Sequence, residues 1–440
     1  MGQHNRAYTT KPAQAGLRVP HPAPEVDVPH KRRLAGVERP SPRGVLAGLI
    51  ALLALAAISL VAGPAVAATG AAGPCALPRT EVHHSLGVGD WNDAYPRPDH
   101  PLDAVMIFLS FTDARPVTTP AELAADYFPA TTQFFQRASY GKFTLRPHPQ
   151  RHWIQMPRSS TAYGIKRDWD DSRRSEYLRD AIAAADDQVD FSKYDIVYLV
   201  ADPDAPGVDS DATKVVNFDQ PLHADGTDIR RVVTVFEQHP PDRNVLAHET
   251  GHVFDLPDLY HRPTDGKGDW DTYVGDWDVM GSQFGLAPDL FGWQKWKLGW
   301  LDRGQVVCIQ RKQDITLESM AATPARGASL GTRLAVIRTG EGGVVAMEAR
   351  SATGNDRSTC SEGVLIYRVR NGTSSGGGPI HVIDTHPRTD ACWDLSVYPP
   401  LADAPLRVGE TYTIPGEHTR VEVADRTPSG AWTVRITTGT

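Results

Sequence analysis

Two histidines four residues apart, His248 and His252, with a glutamate directly after the first, Glu249, are the residues of this chain best equipped to do chemistry. On a helix, side chains four apart share one face, so both imidazoles can converge on a single cation. Glu249 falls beside that face, where its carboxylate can take a proton from a polarised water without itself binding the ion. Zinc held this way brings the pKa of water to roughly 7 and polarises a carbonyl, so the implied chemistry is metal-assisted hydrolysis of a peptide bond. The glutamate then passes its proton to the departing amine. An HExxH pattern also arises on exposed amphipathic helices. Here the apolar run Val245-Leu246-Ala247 ahead of it and the turn behind it fit a buried helix.

Catalytic zinc usually takes three protein ligands and keeps a fourth position for water. No glutamate occurs between Glu249 and Glu318, which argues against a glutamate ligand on the next helix. The near candidates are Asp255, Asp258 and His261. The extended motif HExxHxxGxxH/D of the metzincin group places the ligand at Asp258, with His261 as the second choice. Asp255 stands where that motif has glycine, at a point where the helix must stop and reverse in a left-handed conformation. Aspartate tolerates that conformation better than most residues. Downstream, Gly275-Asp276-Trp277-Asp278-Val279-Met280-Gly281-Ser282 resembles the methionine turn beneath the metal in metzincins. Phe291 to Leu301 sets tryptophans at helical spacing, which suits core packing against the metal-binding helix. Tyr260 or Tyr273 could hydrogen-bond a developing oxyanion, and nothing in the sequence chooses between them.

Together, His248-Glu249-Thr250-Gly251-His252, Leu256-Pro257-Asp258-Leu259-Tyr260, Gly275 to Met280 and Trp296-Lys297-Leu298-Gly299-Trp300 resemble the immune inhibitor A family of secreted bacterial metallopeptidases. Ser139-Tyr140-Gly141-Lys142 and Gly363 to Val369 are similar to segments of that family too, so the resemblance covers about residues 100 to 440. It implies a zinc-dependent endopeptidase with a β-sandwich after the catalytic domain, often with structural calcium. The acidic, glycine-rich stretch Asp265-Gly266-Lys267-Gly268-Asp269-Trp270-Asp271 could supply oxygen ligands to calcium, or be a plain solvated loop.

The elements that must hold these residues read as follows. Ala104 to Leu109, Tyr194 to Val200 and Arg231 to Phe236 are short apolar runs bounded by polar residues, the pattern of buried strands. Ala121 to Ala138 and Ser172 to Asp187 have helical spacing, and the alternation predicts an α/β (α+β) catalytic domain with a mixed, twisted sheet, of zincin or metzincin-like type. From about Gln305, β-rich runs recur between Gly, Pro and Asp turns: Arg333 to Ile337, Val344 to Glu348, Gly363 to Val369 and Trp432 to Ile436. They predict an all-β sandwich, with Ser374-Ser375-Gly376-Gly377-Gly378 as a flexible loop within it. The expected organisation is residues 1–67 as a basic extension with an export signal, 68–303 as the catalytic domain and 304–440 as the sandwich.

Net charge is -8, yet residues 1–43 carry eight Lys/Arg against three acidic residues, leaving -13 on the remainder. So acidic a body, without a basic block, argues against nucleic acid as a partner. Gly44 to Ala62 is an uncharged apolar run followed by Gly63-Pro64 and Ala65-Val66-Ala67, a small-x-small pattern of the kind signal peptidase cuts. Export to the extracellular side is the expectation. Contact with a membrane is then limited to passage during export, or to an uncleaved signal anchor. The four cysteines, Cys75, Cys308, Cys360 and Cys392, are even in number and suit two disulfides in an oxidising compartment. Cys360 with Cys392 and Cys75 with Cys308 is the preferred pairing; the rival makes Cys75 a thiolate that plugs the metal.

The function expected is cleavage of protein or peptide substrates by a secreted zinc endopeptidase. One rival is a surface adhesion module in which the metal site is vestigial. Another is a zinc hydrolase of cell-wall peptides.

Overall fold

Apolar runs without a polar break become strands buried on both sides. In β1 (Leu102–Ser110), Val105, Ile107 and Leu109 face one layer while Ala104, Met106 and Phe108 face the other, and none of the six is exposed to solvent. The computed structural model describes residues 73–83, 86–263, 267–322 and 331–439. The export signal read at residues 1–67 and the first two residues of the stretch read for calcium, Asp265 and Gly266, lie outside the described residues. Ala67–Thr440 forms one compact unit.

After β1 come α1 (Pro120–Tyr127) and α2 (Ala130–Ala138). The single helix expected across Ala121 to Ala138 is divided, because Pro129 has no N–H to donate and forces Phe128 into an extended conformation, φ -119° and ψ 136°. Thr119 and Glu122 close a reciprocal capping box at the start of α1. The chain continues through β2 (Leu145–Gln155), α3 (Ser160–Tyr163), α4 (Asp171–Ala185), β3 (Ile196–Ala201), β4 (Lys214–Ala224) and β5 (Thr227–Val235). Among the described residues these strands form a five-stranded sheet in the order β2-β1-β3-β5-β4. All neighbours are parallel except β4, which runs antiparallel to β5 along one edge. The sheet is thus mixed, as expected. Tyr177, Leu178, Ala181 and Ile182 of α4 pack on one face. α1, α2 and α5 (Val245–Val253) pack on the other.

Past α5 the described residues run mostly irregularly to α6 (Gly292–Lys297), buried from Val274 to Phe291 apart from Gln283 and Phe284. The remaining strands are β6 (Val306–Cys308), β7 (Gln313–Leu317), β8 (Leu334–Arg338), β9 (Gly343–Arg350), β10 (Gly363–Arg370), β11 (Ile380–Val382), β12 (Thr411–Ile414), β13 (Thr419–Arg426) and β14 (Trp432–Thr438). They make two sheets, β11-β10-β9-β8-β6 and β12-β13-β14-β7. Alternate residues share a third core: Ile337, Met347 and Ile366 from the first sheet meet Val421, Val434 and Ile436 from the second. The opposite face of the first sheet, with Val336, Ala346, Leu365 and Tyr367, belongs to the same core as α5 and α6. The molecule is a mixed α/β, sheet-rich fold.

Both expected disulfides are present, Cys75–Cys308 and Cys360–Cys392, and no described cysteine is free. Cys75 is therefore not a thiolate available to a metal. Among the described residues no helix is long and apolar enough to cross a membrane.

Candidate metal centre

Helix α5 is buried along its whole length. Val245, Leu246, Ala247 and Val253 enter the main core, and Phe254 closes the helix against Phe135 and Phe143 at 5.7 and 5.2 Å between ring centroids. Tyr198 of β3 bonds Thr250 Oγ1 at 2.8 Å, which fixes the rotation of the helix against the sheet. With that rotation set, His248 and His252 point the same way, their rings 4.9 Å apart and perpendicular. Each ring commits its Nδ1 to a backbone carbonyl: His248 to Val279 at 2.8 Å and His252 to Leu256 at 2.7 Å. Those bonds place the ring proton on Nδ1 and leave each Nε2 with an outward lone pair.

The chain reverses straight after α5, and Asp255 takes φ 59°, the left-handed conformation expected where the motif has glycine. The aspartate side chain is fully buried and paired with Lys297 Nζ and Arg79 Nη1, each at 2.9 Å from Oδ2. Lys297 also donates to the Asp255 carbonyl at 2.5 Å and to that of Gly87. Three residues on, Asp258 Oδ1 lies 3.0 Å from His252 Nε2 and 3.4 Å from His248 Nε2. The same oxygen is buried yet makes no hydrogen bond of sound geometry. With each Nδ1 committed to a carbonyl, the two Nε2 atoms and Asp258 Oδ1 face one another, an arrangement that a shared proton or a divalent cation satisfies. His248, His252 and Asp258 are the metal-capable group among the described residues, their ligand atoms all within 4.8 Å. Burial opposes charge on His252, but the adjoining Asp258 carboxylate raises the imidazole to about 9. Burial likewise opposes the charge of Asp258, and the two imidazoles hold it far below the usual carboxylate range. Both shifts register how strongly this position attracts positive charge, whether a proton or a metal.

The turn after Trp277 lies beneath the helix. A Cβ on Gly251 would run into the Met280 sulfur, so α5 and the methionine touch backbone to side chain. Asp278 holds the turn, accepting from Met280 N–H at 2.8 Å and Phe291 N–H at 2.7 Å, and Leu259 N–H donates to the Met280 carbonyl at 2.9 Å. The same turn supplies the Val279 carbonyl that orients His248.

Glu249 is buried beside the group. Burial raises its pKa, partly offset by His248 and His252. Val215 N–H of β4 donates to its carboxylate, while Oε2 has no partner. These side chains open into a cleft of about 530 Å³ whose walls include Thr213, Lys214 and Val215 of the edge strand and its approach, together with Tyr260, Trp270 and Phe284. Tyr260 is the tyrosine at the site. Its hydroxyl bonds Asp258, its ring lies 6.3 Å from that of His248, and burial followed by the Asp258 and Glu249 charges keeps it protonated. Tyr273 instead packs between His261 and His381, at 4.9 and 4.1 Å. His261 is thereby turned to Tyr273 and lies outside the ligand group. In the stretch read for calcium, Asp269 Oδ1 accepts the Asp271 N–H at 3.0 Å.

Sequence reasoning missed two contributors. Edge strand β4 shows no regular alternation of polar and apolar residues and contains Pro221, which hid it, and its pairing shifts register between Asn217 and Leu222. Ser375 contacts Asp258 from the stretch read only as a loop. The chain matches no protein-family model, and no curated protein matches it.

Proposed function

We propose that the chain is a secreted zinc endopeptidase of the immune inhibitor A type, with a metzincin-like catalytic region ahead of a β-sandwich. The observation that carries this is the convergence of His248 Nε2, His252 Nε2 and Asp258 Oδ1 beside an unpartnered Glu249 oxygen. Two imidazole nitrogens and one carboxylate oxygen form a donor set suited to zinc, with the Nδ1 bonds fixing each ring. When bound there, zinc supplies Lewis acidity that makes water acidic enough to ionise near neutral pH and polarises a carbonyl.

The protein's own groups do the rest. β4 is an edge strand of the five-stranded sheet and lines the cleft through Lys214 and Val215, and an extended peptide can add to such an edge as a further strand. Glu249, fixed by Val215 N–H, then takes a proton from the attacking water through Oε2. As the C–O bond forms and the C–N bond breaks, it delivers that proton to the leaving amine. A carboxylate whose pKa is raised by burial is better matched to holding a proton between those two steps. Tyr260 stands where it can donate to the carbonyl oxygen as negative charge develops. The two disulfides agree with an oxidising, extracellular setting.

Replacing Glu249 by alanine should lower casein hydrolysis by about 10²–10⁴-fold while the protein still binds zinc. Undiminished turnover in that variant would remove the mechanism. Chelator-sensitive cleavage of casein by the unaltered protein separates this function from an adhesion module and from a hydrolase confined to cell-wall peptides, neither of which predicts it.

A further inference from the structure

A carboxylate ligand has two equivalent oxygens and a freely turning terminal bond, so something must decide which oxygen meets the metal. In this structure two hydroxyls bear on that choice: that of Tyr260, which bonds the Asp258 carboxylate from within the cleft, and that of Ser375, which lies 117 residues away in sequence and also ties the carboxylate to its own backbone. The serine Oγ accepts the Asp258 N–H at 2.9 Å and donates to Asp258 Oδ2 at 3.1 Å. One hydroxyl can do both, having a donor and two acceptor lone pairs. The ring so formed ties the carboxylate to its own backbone. With Oδ2 occupied, Oδ1 is the oxygen left facing the two imidazoles.

The serine is itself held by a backbone clamp. Gly376 N–H donates to the Asp258 carbonyl at 3.1 Å, Arg262 N–H donates to the Gly376 carbonyl at 2.9 Å, and His261 bridges Gly377. This pairing requires close approach: Gly378 has φ 77°, and a Cβ there would strike the Tyr273 ring. The clamp joins β10 to β11, and Asn371 N–H, at its start, bonds the Gly342 carbonyl at 3.0 Å. A stretch whose composition reads as a flexible loop is therefore laid against the segment that carries Asp258.

We propose that Ser375 is a positioning residue for the metal centre: its hydroxyl occupies Asp258 Oδ2 and so presents Oδ1 to zinc as a single, oriented ligand. The proposal deepens the metallopeptidase reading and rests on it. The bland competitor is that the hydroxyl only satisfies a backbone N–H, in which case its loss would weaken the fold and leave metal affinity alone.

Zinc affinity measured by competition with a chromogenic chelator tells the two apart. Ser375→Ala should weaken zinc binding about 10–100-fold, the effect typical of removing a group that orients a metal ligand, with the metal-free melting temperature close to that of the unaltered protein. Ser375→Thr, which keeps the hydroxyl, should retain the affinity. Ser374→Ala, next door on the exposed side, should leave it unchanged. If Ser375→Ala folds poorly, Ser375→Thr against Ser375→Val repeats the comparison at equal bulk, and only the valine variant should lose affinity. Affinity untouched in the alanine or valine variant overturns the proposal. Failure of the unaltered protein to bind zinc would instead sink the metallopeptidase reading beneath it, and it shows in a different arm of the same titration.

Discussion

Asp258 bears the largest electrostatic load of any single residue in the centre. It brings the carboxylate to the two imidazoles, and its ligand oxygen is sheltered from solvent and makes no hydrogen bond of sound geometry. Replacing Asp258 by alanine leaves two neutral donors, and a two-ligand site is short of the three that catalytic zinc normally uses. We expect Asp258→Ala to lose zinc on dialysis, with the bound fraction falling well below one per chain by atomic absorption. A full equivalent retained after dialysis would move the third ligand elsewhere. Part of the centre was legible from sequence because it is local: His248, Glu249 and His252 lie on one helix, where spacing fixes direction, while Asp258, past the end of that helix, was read from the likeness to the extended metzincin motif, with His261 as the second choice. Ser375 and Arg79 were not legible. They reach Asp258 and Asp255 across 117 and 176 residues, and no periodicity connects such distant positions.

At the scale of elements, the informative place is the turn where Asp255 replaces glycine. A left-handed residue other than glycine costs roughly 1–2 kcal/mol. Stripping a buried charge of its partner costs about 3–5 kcal/mol. Lys297 is wholly buried and leans on Asp255, with Arg79 on the same carboxylate. The second magnitude wins. Asp255→Gly should therefore destabilise the protein by about 1–4 kcal/mol in denaturant unfolding, although glycine is the better residue for that backbone. A glycine variant of equal or greater stability would show that the Arg79–Asp255–Lys297 cluster does not hold the turn. The same competition between local preference and longer-range contact explains which elements the sequence disclosed. The runs Ala104 to Leu109 in β1 and Ile196 to Ala201 in β3 are apolar throughout and were plain. The α1–α2 break was visible only as Pro129 inside a helical pattern, and β4, half exposed at the sheet edge, carried no clear period.

For the molecule as a whole, the question is whether the residues after 303 fold as a separate body. The boundary read at 303/304 falls between α6 and β6, and the main core runs across it. Arg350, on β9, is the most connected side chain there. Its Nε bonds Asp356 and its Nη1 bonds Glu348, each at 2.8 Å, and its Nη2 reaches the carbonyls of Trp277, Ala287 and Asp289 at 2.9 to 3.0 Å. Burial works against its charge, and Asp356 and Glu348 outweigh that. Glu348 in turn accepts from Gly292 N–H at 2.6 Å, at the first residue of α6. One guanidinium from the C-terminal sheet thus closes the stretch that carries Met280 and the Val279 carbonyl on which His248 depends. Cutting it out should loosen both halves together. Arg350→Met strands two buried carboxylates and three carbonyls, and should cost about 3–5 kcal/mol. Because the network belongs to one shared core, calorimetry of both proteins should show a single transition, displaced to lower temperature in the variant. Two resolved transitions, with only the later-sequence one shifted by Arg350→Met, would mean that the sheets after 303 fold apart from the metal centre.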